Sequence, residues 1–393
     1  MRIVIYKDVL TSGRGADRAT VALANALSQR GHSVYFVTEA PQGGVLSRRF
    51  AAGVQVQLVV GPPRSGLRWW IYRLLRRRRW GDYLLRRFLP GCDWGLRISQ
   101  QLHCLLERFS PEVVVSAGSN ELVTLFAAGV LPWPVVQMFH IYPPVDFARR
   151  DVHGMRFRAA MRQVAAAQVL LPSFQALVER WTPAPVAVIA NAVAFAQEVP
   201  KGPRKRQIAY VAYFAKDKNH EALLRAFAKL QRAEAWSLEL YGSGTPVWEQ
   251  RLRQWIAELG IAERVHLRGV TENPSAVFAE SAICAYPSLV EGFGIALVEA
   301  MGMGTACVGF ADAPGVNELL EDGRTGLLAA PGAEAFGVAL QRLIDDEALR
   351  VRLGQAAAET VRKAYEPAHI WQAWEKLLTS VVNPSQAQKL NEK

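Results

Sequence analysis

Apolar positions along this chain fall into short runs separated by stretches of helical spacing. Ile3–Tyr6 is the first run. Asp17–Arg30 then places Val21, Ala24 and Leu27 on one helical face, and Gly31 stands where a helix C-cap glycine belongs. Val34–Thr38 and Val54–Val60 are rich in β-branched residues, and Trp94–Phe109 reads as a helix. Glu112–Ser116, Val135–Phe139, Gln168–Leu171 and Val186–Ile189 read as further strands. Strands alternating with helical stretches predict βαβ units around a parallel sheet.

The segment Pro200–Gln207 interrupts this alternation with two prolines, a glycine and four cations, and no apolar residue among them. Beyond it the pattern restarts. Strands are expected at Ile208–Val211, Ser237–Tyr241, Val265–Leu267, Ala282–Tyr286 and Thr305–Phe310, with helices at Glu221–Leu230 and Val247–Leu259. The expected organisation is a first Rossmann-like domain at 1–195, a linker at 196–207 and a second Rossmann-like domain at 208–365. A helix at 366–382 is expected to return to the first domain, ahead of a polar tail at 383–393. Two such domains facing across a deep cleft would bind ligands beyond the carboxyl ends of their strands.

Composition narrows the class. The chain has 393 residues, 50% hydrophobic and 21% charged, which suits two domains with real cores and excludes global disorder. No run of about 18 uncharged apolar residues offers a spanning helix. The N-terminus meets Lys7 and Asp8 early, so it reads as a first strand rather than the apolar core of a signal peptide. Cys92, Cys104, Cys284 and Cys307 are scattered, as in a reduced cytosolic protein without a structural zinc.

The formal net charge is +11, and its distribution is uneven. Residues 64–88 hold nine arginines and one acid, a net +8, interleaved with Trp69, Trp70, Tyr72, Trp80, Tyr83 and Phe88. Arg76, Arg77, Arg78 and Arg79 are consecutive like charges that need a counter-surface. Aromatic side chains favour the lipid headgroup region and arginines attract anionic lipid. An anionic membrane is therefore the expected partner, with Trp69, Trp70, Arg76–Arg79 and Trp80 as contacts. Nucleic acid, which also uses arginine and aromatics, and a plain solvated helix face are the weaker readings.

The chemistry-bearing stretch is Tyr286-Pro-Ser-Leu-Val-Glu-Gly-Phe-Gly-Ile-Ala-Leu-Val-Glu-Ala300. A strand ends near Tyr286, a loop carries Glu291 and two glycines, and a helix begins near Phe293 or Gly294. Glycines allow close approach of backbone N–H groups, and a helix N-terminus favours an anion such as a diphosphate. Glu299, eight residues past Glu291, lies inside the helix. From spacing alone, the two carboxylates either hold hydroxyls at the two ends of a sugar nucleotide or mark an ordinary βα turn with Glu299 facing solvent.

This stretch resembles the E-x7-E motif of retaining GT-B glycosyltransferases, a family that includes bacterial lipopolysaccharide and surface-polysaccharide transferases. Ser275–Ser288, Gly315-Val-Asn-Glu-Leu319 and Asp322-Gly-Arg-Thr-Gly-Leu327 resemble the flanking segments of that family. The resemblance is continuous over about residues 208–330 and collinear but weaker before them. It implies a GT-B fold and transfer of a sugar from a nucleotide-sugar donor to a lipid-linked bacterial glycan, with retention of configuration. It further implies a protein peripheral on the inner face of the cytoplasmic membrane. No Asp-x-Asp pair appears, so no metal or other cofactor is implied, and no nucleic-acid partner is expected. Glu291 and His140 would be catalytic. Phe293, Gly294 and Ile295 would line the phosphate-contacting turn, Glu299 would hold the ribose and Lys218 would neutralise the diphosphate. Gly15 would help bind the donor from the loop that opens the first helix, Thr11-Ser-Gly-Arg-Gly-Ala-Asp-Arg18, where Arg14 separates two glycines that the family has adjacent. Another departure is Ala212-Tyr213, where the family has a glycine and an arginine. Lys216 and Arg14 are candidate replacements for that cation. A nucleotide-sugar epimerase of the same fold and a non-catalytic membrane-associated protein remain the alternatives.

Overall fold

The computed structural model describes residues 1–10, 15–39, 50–59, 74, 94–195, 198–200 and 202–383. The chain forms two compact units, Met1–Ala190 with Ala368–Lys393, and Asn191–Pro367. In the first unit seven parallel strands are ordered β3-β2-β1-β4-β5-β6-β7. These are β1 Arg2–Val9, β2 Ser33–Glu39, β3 Val54–Val59, β4 Val113–Ser116, β5 Val135–Met138, β6 Ala166–Val169 and β7 Val186–Val188. In the second unit six parallel strands are ordered β10-β9-β8-β11-β12-β13. These are β8 Lys205–Val211, β9 Ser237–Tyr241, β10 Val265–Gly269, β11 Ser281–Tyr286, β12 Ala306–Phe310 and β13 Leu327–Ala329.

Both sheets are doubly wound. Strand order runs outward in one direction from β1 and β8, then in the other from β4 and β11, so the switch points lie between β1 and β4 and between β8 and β11. Crevices open at such points beyond the strands' carboxyl ends. The central strands are apolar on both faces: Ile3, Val4, Ile5 and Tyr6 are buried, as are all residues of β4 and β11. Helices covering both faces of a parallel sheet require this composition.

Several boundaries differ from the sequence pattern for physical reasons. Strand β8 begins at Lys205, inside the segment read as a linker, because the backbone there pairs with Ser281 while the Lys205 and Arg206 side chains stay exposed. Strand β6 starts at Ala166, two residues before the expected Gln168, since buried alanines carry little β-strand signature. The helix Pro367–Val382 packs in the first unit, where Arg30 donates to the Ala368 carbonyl and Glu375 accepts from His32.

Candidate functional site

In the second unit, the switch point brings together the loop after β8 and the loop after β11. Beyond Val211 the chain makes one 3-10 turn, Lys216–Lys218, then passes through Asn219 in the left-handed region into the helix His220–Ala228. This turn aims Lys218 across the crevice. Its Nζ donates to Glu291 Oε1 at 2.7 Å and lies 3.3 Å from Asp217 Oδ2. Burial alone would lower the Lys218 pKa, but the Glu291 and Asp217 carboxylates outweigh it and hold the ammonium above its ordinary value.

A buried scaffold fixes the pair. Leu289 N donates to the Asp217 carbonyl at 2.8 Å, tying one loop to the other. The Tyr210 hydroxyl donates to the Lys218 carbonyl at 3.0 Å and meets Ser288 Oγ at 2.9 Å. Because that phenol proton is committed to the carbonyl, Ser288 donates to Tyr210. The Glu291 backbone is held by Glu291 N donating to the Pro314 carbonyl at 2.9 Å. Gly315 has φ +83°, and a Cβ there would strike the Glu291 carbonyl. Only glycine serves both the conformation and the contact.

Gly294, at φ 72°, is the N-cap of the helix Ile295–Gly302. The first N–H groups of that helix lack intrahelical acceptors. Phe293 is buried, its ring edge-on to Tyr365 with centroids 5.0 Å apart, so only its backbone is available at the turn. Glu299 is 5% exposed, which removes the reading of it as a solvent-facing residue. Lys218, Glu291, Phe293, Gly294, Ile295 and Glu299 thus all lie on the two loops and one helix around the crevice of the second unit. Tyr213 is 45% exposed, directly after Ala212, whose carbonyl would collide with any Cβ at Gly242. Lys216 is exposed, and Arg14 lies outside the described residues.

His140 and Gly15 belong to the first unit. Gly15 is the first residue of the helix Gly15–Gln29. His140 follows β5, and its Nε2 lies 3.0 Å from Thr20 Oγ1 on that helix. Thr20 gives its own proton to the Ala16 carbonyl at 2.8 Å, so the imidazole is the donor in the Thr20 contact. Burial, and then the Lys7 charge, push the His140 pKa down to about 3, leaving a neutral ring whose Nδ1 lone pair is buried and without a partner.

Around it lies a cluster that the sequence reading did not single out. Lys7 Nζ donates to Asp8 Oδ1 at 2.7 Å and to Glu121 Oε1. Asp8 N also donates to Glu121 Oε1, at 3.3 Å. Burial first and the Asp8 charge second push the Glu121 carboxyl up to about 8, against the pull of Lys7. Its one sequence signal is two charged residues near the end of an apolar first strand, with an acid five residues past the strand end at Ser116.

Among the expected membrane contacts, Trp69, Trp70, Arg76, Arg77, Arg78, Arg79 and Trp80 lie outside the described residues. Among the described residues no helix is long and apolar enough to cross a membrane. No cluster of three or more His, Cys, Asp or Glu side chains there could hold a metal ion.

Residues 194–360 match the family model described as Glycosyl transferases group 1. An N-acetyl-alpha-D-glucosaminyl L-malate synthase of Bacillus anthracis is 30% identical over 183 residues, covering 46% of this chain and 47% of that protein. A Campylobacter jejuni enzyme, the N-acetylgalactosamine-N,N'-diacetylbacillosaminyl-diphospho-undecaprenol 4-alpha-N-acetylgalactosaminyltransferase, is 32% identical over 156 residues, covering 39% and 41%. The chain therefore spans less than half the length of these two curated relatives. Anabaena HepE in complex with UDP and glucose superposes with a TM-score of 0.76 at 17% identity, covering 97% of this chain and all of that one. At that identity the likeness establishes a shared fold of two Rossmann-like sheets.

Proposed function

Since residues 194–360 are a domain of the group 1 glycosyltransferase family with the GT-B fold, we propose that this chain transfers a sugar from a nucleotide-sugar donor to a lipid-linked bacterial glycan, with retention of configuration. The observation that carries this reading is the Lys218–Glu291 pair, set across the β8–β11 switch point beside the free N-terminus of the helix Ile295–Gly302. A cation and a ring of backbone N–H groups suit a diphosphate, and a carboxylate beside them suits sugar hydroxyls.

On this reading the departing diphosphate competes with Glu291 for Lys218. Lys218 and the N–H groups of 293–295 stabilise the negative charge that develops on it. Glu291, released, orients the sugar; Glu299 holds the ribose. These contributions are positioning and electrostatic preorganisation. His140, neutral and with a bare Nδ1, serves as an acceptor for a substrate hydroxyl rather than as a cation. No metal is required by this set of residues.

The Campylobacter relative acts on a diphospho-undecaprenol substrate by its name, and HepE was solved with UDP. Both favour a lipid-linked acceptor and a nucleoside-diphosphate leaving group here, in surface-polysaccharide or lipopolysaccharide assembly. A peripheral position on the inner membrane face, held by residues 64–88, fits such an acceptor. The test is calorimetric titration with UDP, GDP and ADP, followed by transfer assays with the matching sugars. Binding of one nucleotide together with release of its diphosphate only when acceptor extract is present supports transfer. Turnover of donor alone would instead reveal an epimerase, and binding without any turnover a non-catalytic protein.

A further inference from the structure

We infer that Tyr365 is a positioning residue for the phosphate-contacting turn, which it holds through the ring of Phe293. The inference rests on the proposed donor site and adds to it a residue far along the chain from the motif.

The backbone of the turn is lightly constrained. Phe293 stands between Gly292 and Gly294, so neither neighbour restricts the chain with a side chain. Glu291 N is tied to the Pro314 carbonyl at 2.9 Å, and Val298 N to the Gly294 carbonyl at 3.1 Å. Between those ties lie the N–H groups of Phe293, Gly294 and Ile295, the ones proposed for the diphosphate. Gly294 is not wedged in place: a Cβ there would meet nothing closer than Leu319 Cδ1 at 3.4 Å, an ordinary contact. The Phe293 side chain, in contrast, is buried and meets Tyr365 edge-on, with centroids 5.0 Å apart and ring planes at 89°. Edge-to-face pairs are directional, so this contact sets the orientation of the Phe293 ring as well as its depth. The peptide planes on either side of Phe293 follow that orientation.

Tyr365 holds a neighbour because it is itself held. It is the C-cap of the helix Glu347–Ala364, and its N–H donates to the Val361 carbonyl at 2.9 Å. Its own carbonyl accepts from the N–H of buried Val193 at 3.4 Å. Burial, and then the Glu318 charge, raise the pKa of its hydroxyl, so the phenol is neutral. The supporting helix is also fastened to the far end of Ile295–Gly302, where Arg362 donates to the Gly302 carbonyl through Nε at 3.2 Å and Nη2 at 3.0 Å. One helix thus grips the other at both ends, by a hydrogen-bonded guanidinium at the C-terminus and by the Tyr365–Phe293 ring pair at the N-terminal turn. An apolar side chain of similar volume at 365 would fill the space beside Phe293. Only an aromatic ring reproduces the edge-on geometry.

The test uses the full chain. Calorimetry with UDP, GDP and ADP first identifies the nucleoside diphosphate that binds the parent. Tyr365→Leu and Tyr365→Met are then measured side by side, each with its melting curve, so that one folded variant suffices. Affinity for that diphosphate should fall about fivefold, the size of a lost edge-to-face pair. The corresponding nucleoside, read by saturation-transfer NMR, should be unaffected, because only phosphates meet the turn. Tyr365→Phe keeps the ring and should bind as the parent does. In a Phe293→Leu background Tyr365→Leu should add no further loss, since its effect passes through that ring. An unchanged diphosphate Kd beside a lowered melting temperature would leave Tyr365 a stabilising residue only and overturn the inference. So would a loss shared by the nucleoside, a loss in Tyr365→Phe, or a loss additive to that of Phe293→Leu. A parent that binds none of the three nucleotides sinks the donor reading itself, whereas binding that all variants retain sinks this inference alone.

Discussion

At the scale of single residues, Lys218, Glu291 and Glu299 should separate by their kinetics. Lys218 is the cation nearest the proposed diphosphate, and Tyr213 supplies none in the family's arginine position. Lys218→Ala should weaken nucleoside-diphosphate binding by about 2 kcal/mol, roughly thirtyfold, and calorimetry would read it. An unchanged Kd would place the phosphate elsewhere. Tyr213→Arg should tighten the same titration, because the exposed side chain can swing toward the crevice without repacking a core. Glu291→Gln should lower kcat, whereas Glu299→Gln should mainly raise the donor KM, the signatures of a transition-state contact and of uniform binding. Wild-type kcat/KM in both variants would overturn the donor-site assignment. These residues were singled out in sequence because a shared motif marks them. Tyr210, Ser288 and Gly315 were not, since their role is to brace neighbours reached only through the fold.

Secondary-structure elements act here through the groups that lock them together. Among the described residues Arg204 meets no carboxylate. Instead its guanidinium donates to the carbonyls of Phe278, Ala279, Ser281 and Met303 and to Thr305 Oγ1. It thereby joins the start of β8 to the ends of two helices and the entry to β12. Arg204→Met should lower unfolding free energy by about 2–4 kcal/mol in urea titration, because several acceptors lose their donor at once. A loss below about 0.5 kcal/mol would show those acceptors to be satisfied by water. Gly315→Ala attacks the donor loop by a different route. The new methyl group must displace the Glu291 carbonyl and also strain a backbone at φ +83°. Reduced kcat together with reduced stability is expected, and a variant as active and stable as the parent would remove Gly315 from the scaffold. In sequence Arg204 sits among prolines and cations and reads as part of a linker. Nothing local reveals that its side chain turns inward.

For the whole molecule, His140 and the buried His220 contribute to the response to acid. Burial, and then the nearby lysine charges, push His140 and His220 each down to about 3. In the unfolded chain each would titrate near 6.5. Their folded pKa values are depressed, so the unfolded state binds more protons between the two values. Stability is full above about 6.5 and falls as pH drops toward about 3. His220 packs between the rings of Tyr210 and Phe214, at centroid distances of 4.9 and 5.1 Å. His220→Phe should therefore flatten part of this acid slope, as read by melting temperature against pH. An unaltered slope would assign it to other groups. Residues 64–88 should govern association with lipid. Replacing Arg76–Arg79 with Gln removes four cations, each worth about 1 kcal/mol near an anionic surface, and should cost about a thousandfold in binding. Vesicle flotation at varied salt would measure it, and equal flotation on neutral and anionic vesicles would refute the membrane role.

By itself the sequence determined the architecture and singled out the residues proposed for one crevice. Apolar and β-branched residues mark parallel strands, so all seven described strands of the first sheet and five of the six in the second showed in the pattern. Strand β13, Leu327–Ala329, was not read as a strand. The residues proposed for the donor lie close together along the chain, apart from Lys218 and Gly15, and a local motif therefore singles them out. The tertiary structure decided what depends on residues distant in sequence. Lys7 meets Glu121, 114 positions away, only because the strand order sets β1 beside β4. The raised pKa of Glu121 and the unpartnered Nδ1 of His140 follow from burial and from neighbours on other strands. Such quantities are properties of a packed environment, and the order of residues along one strand does not contain them.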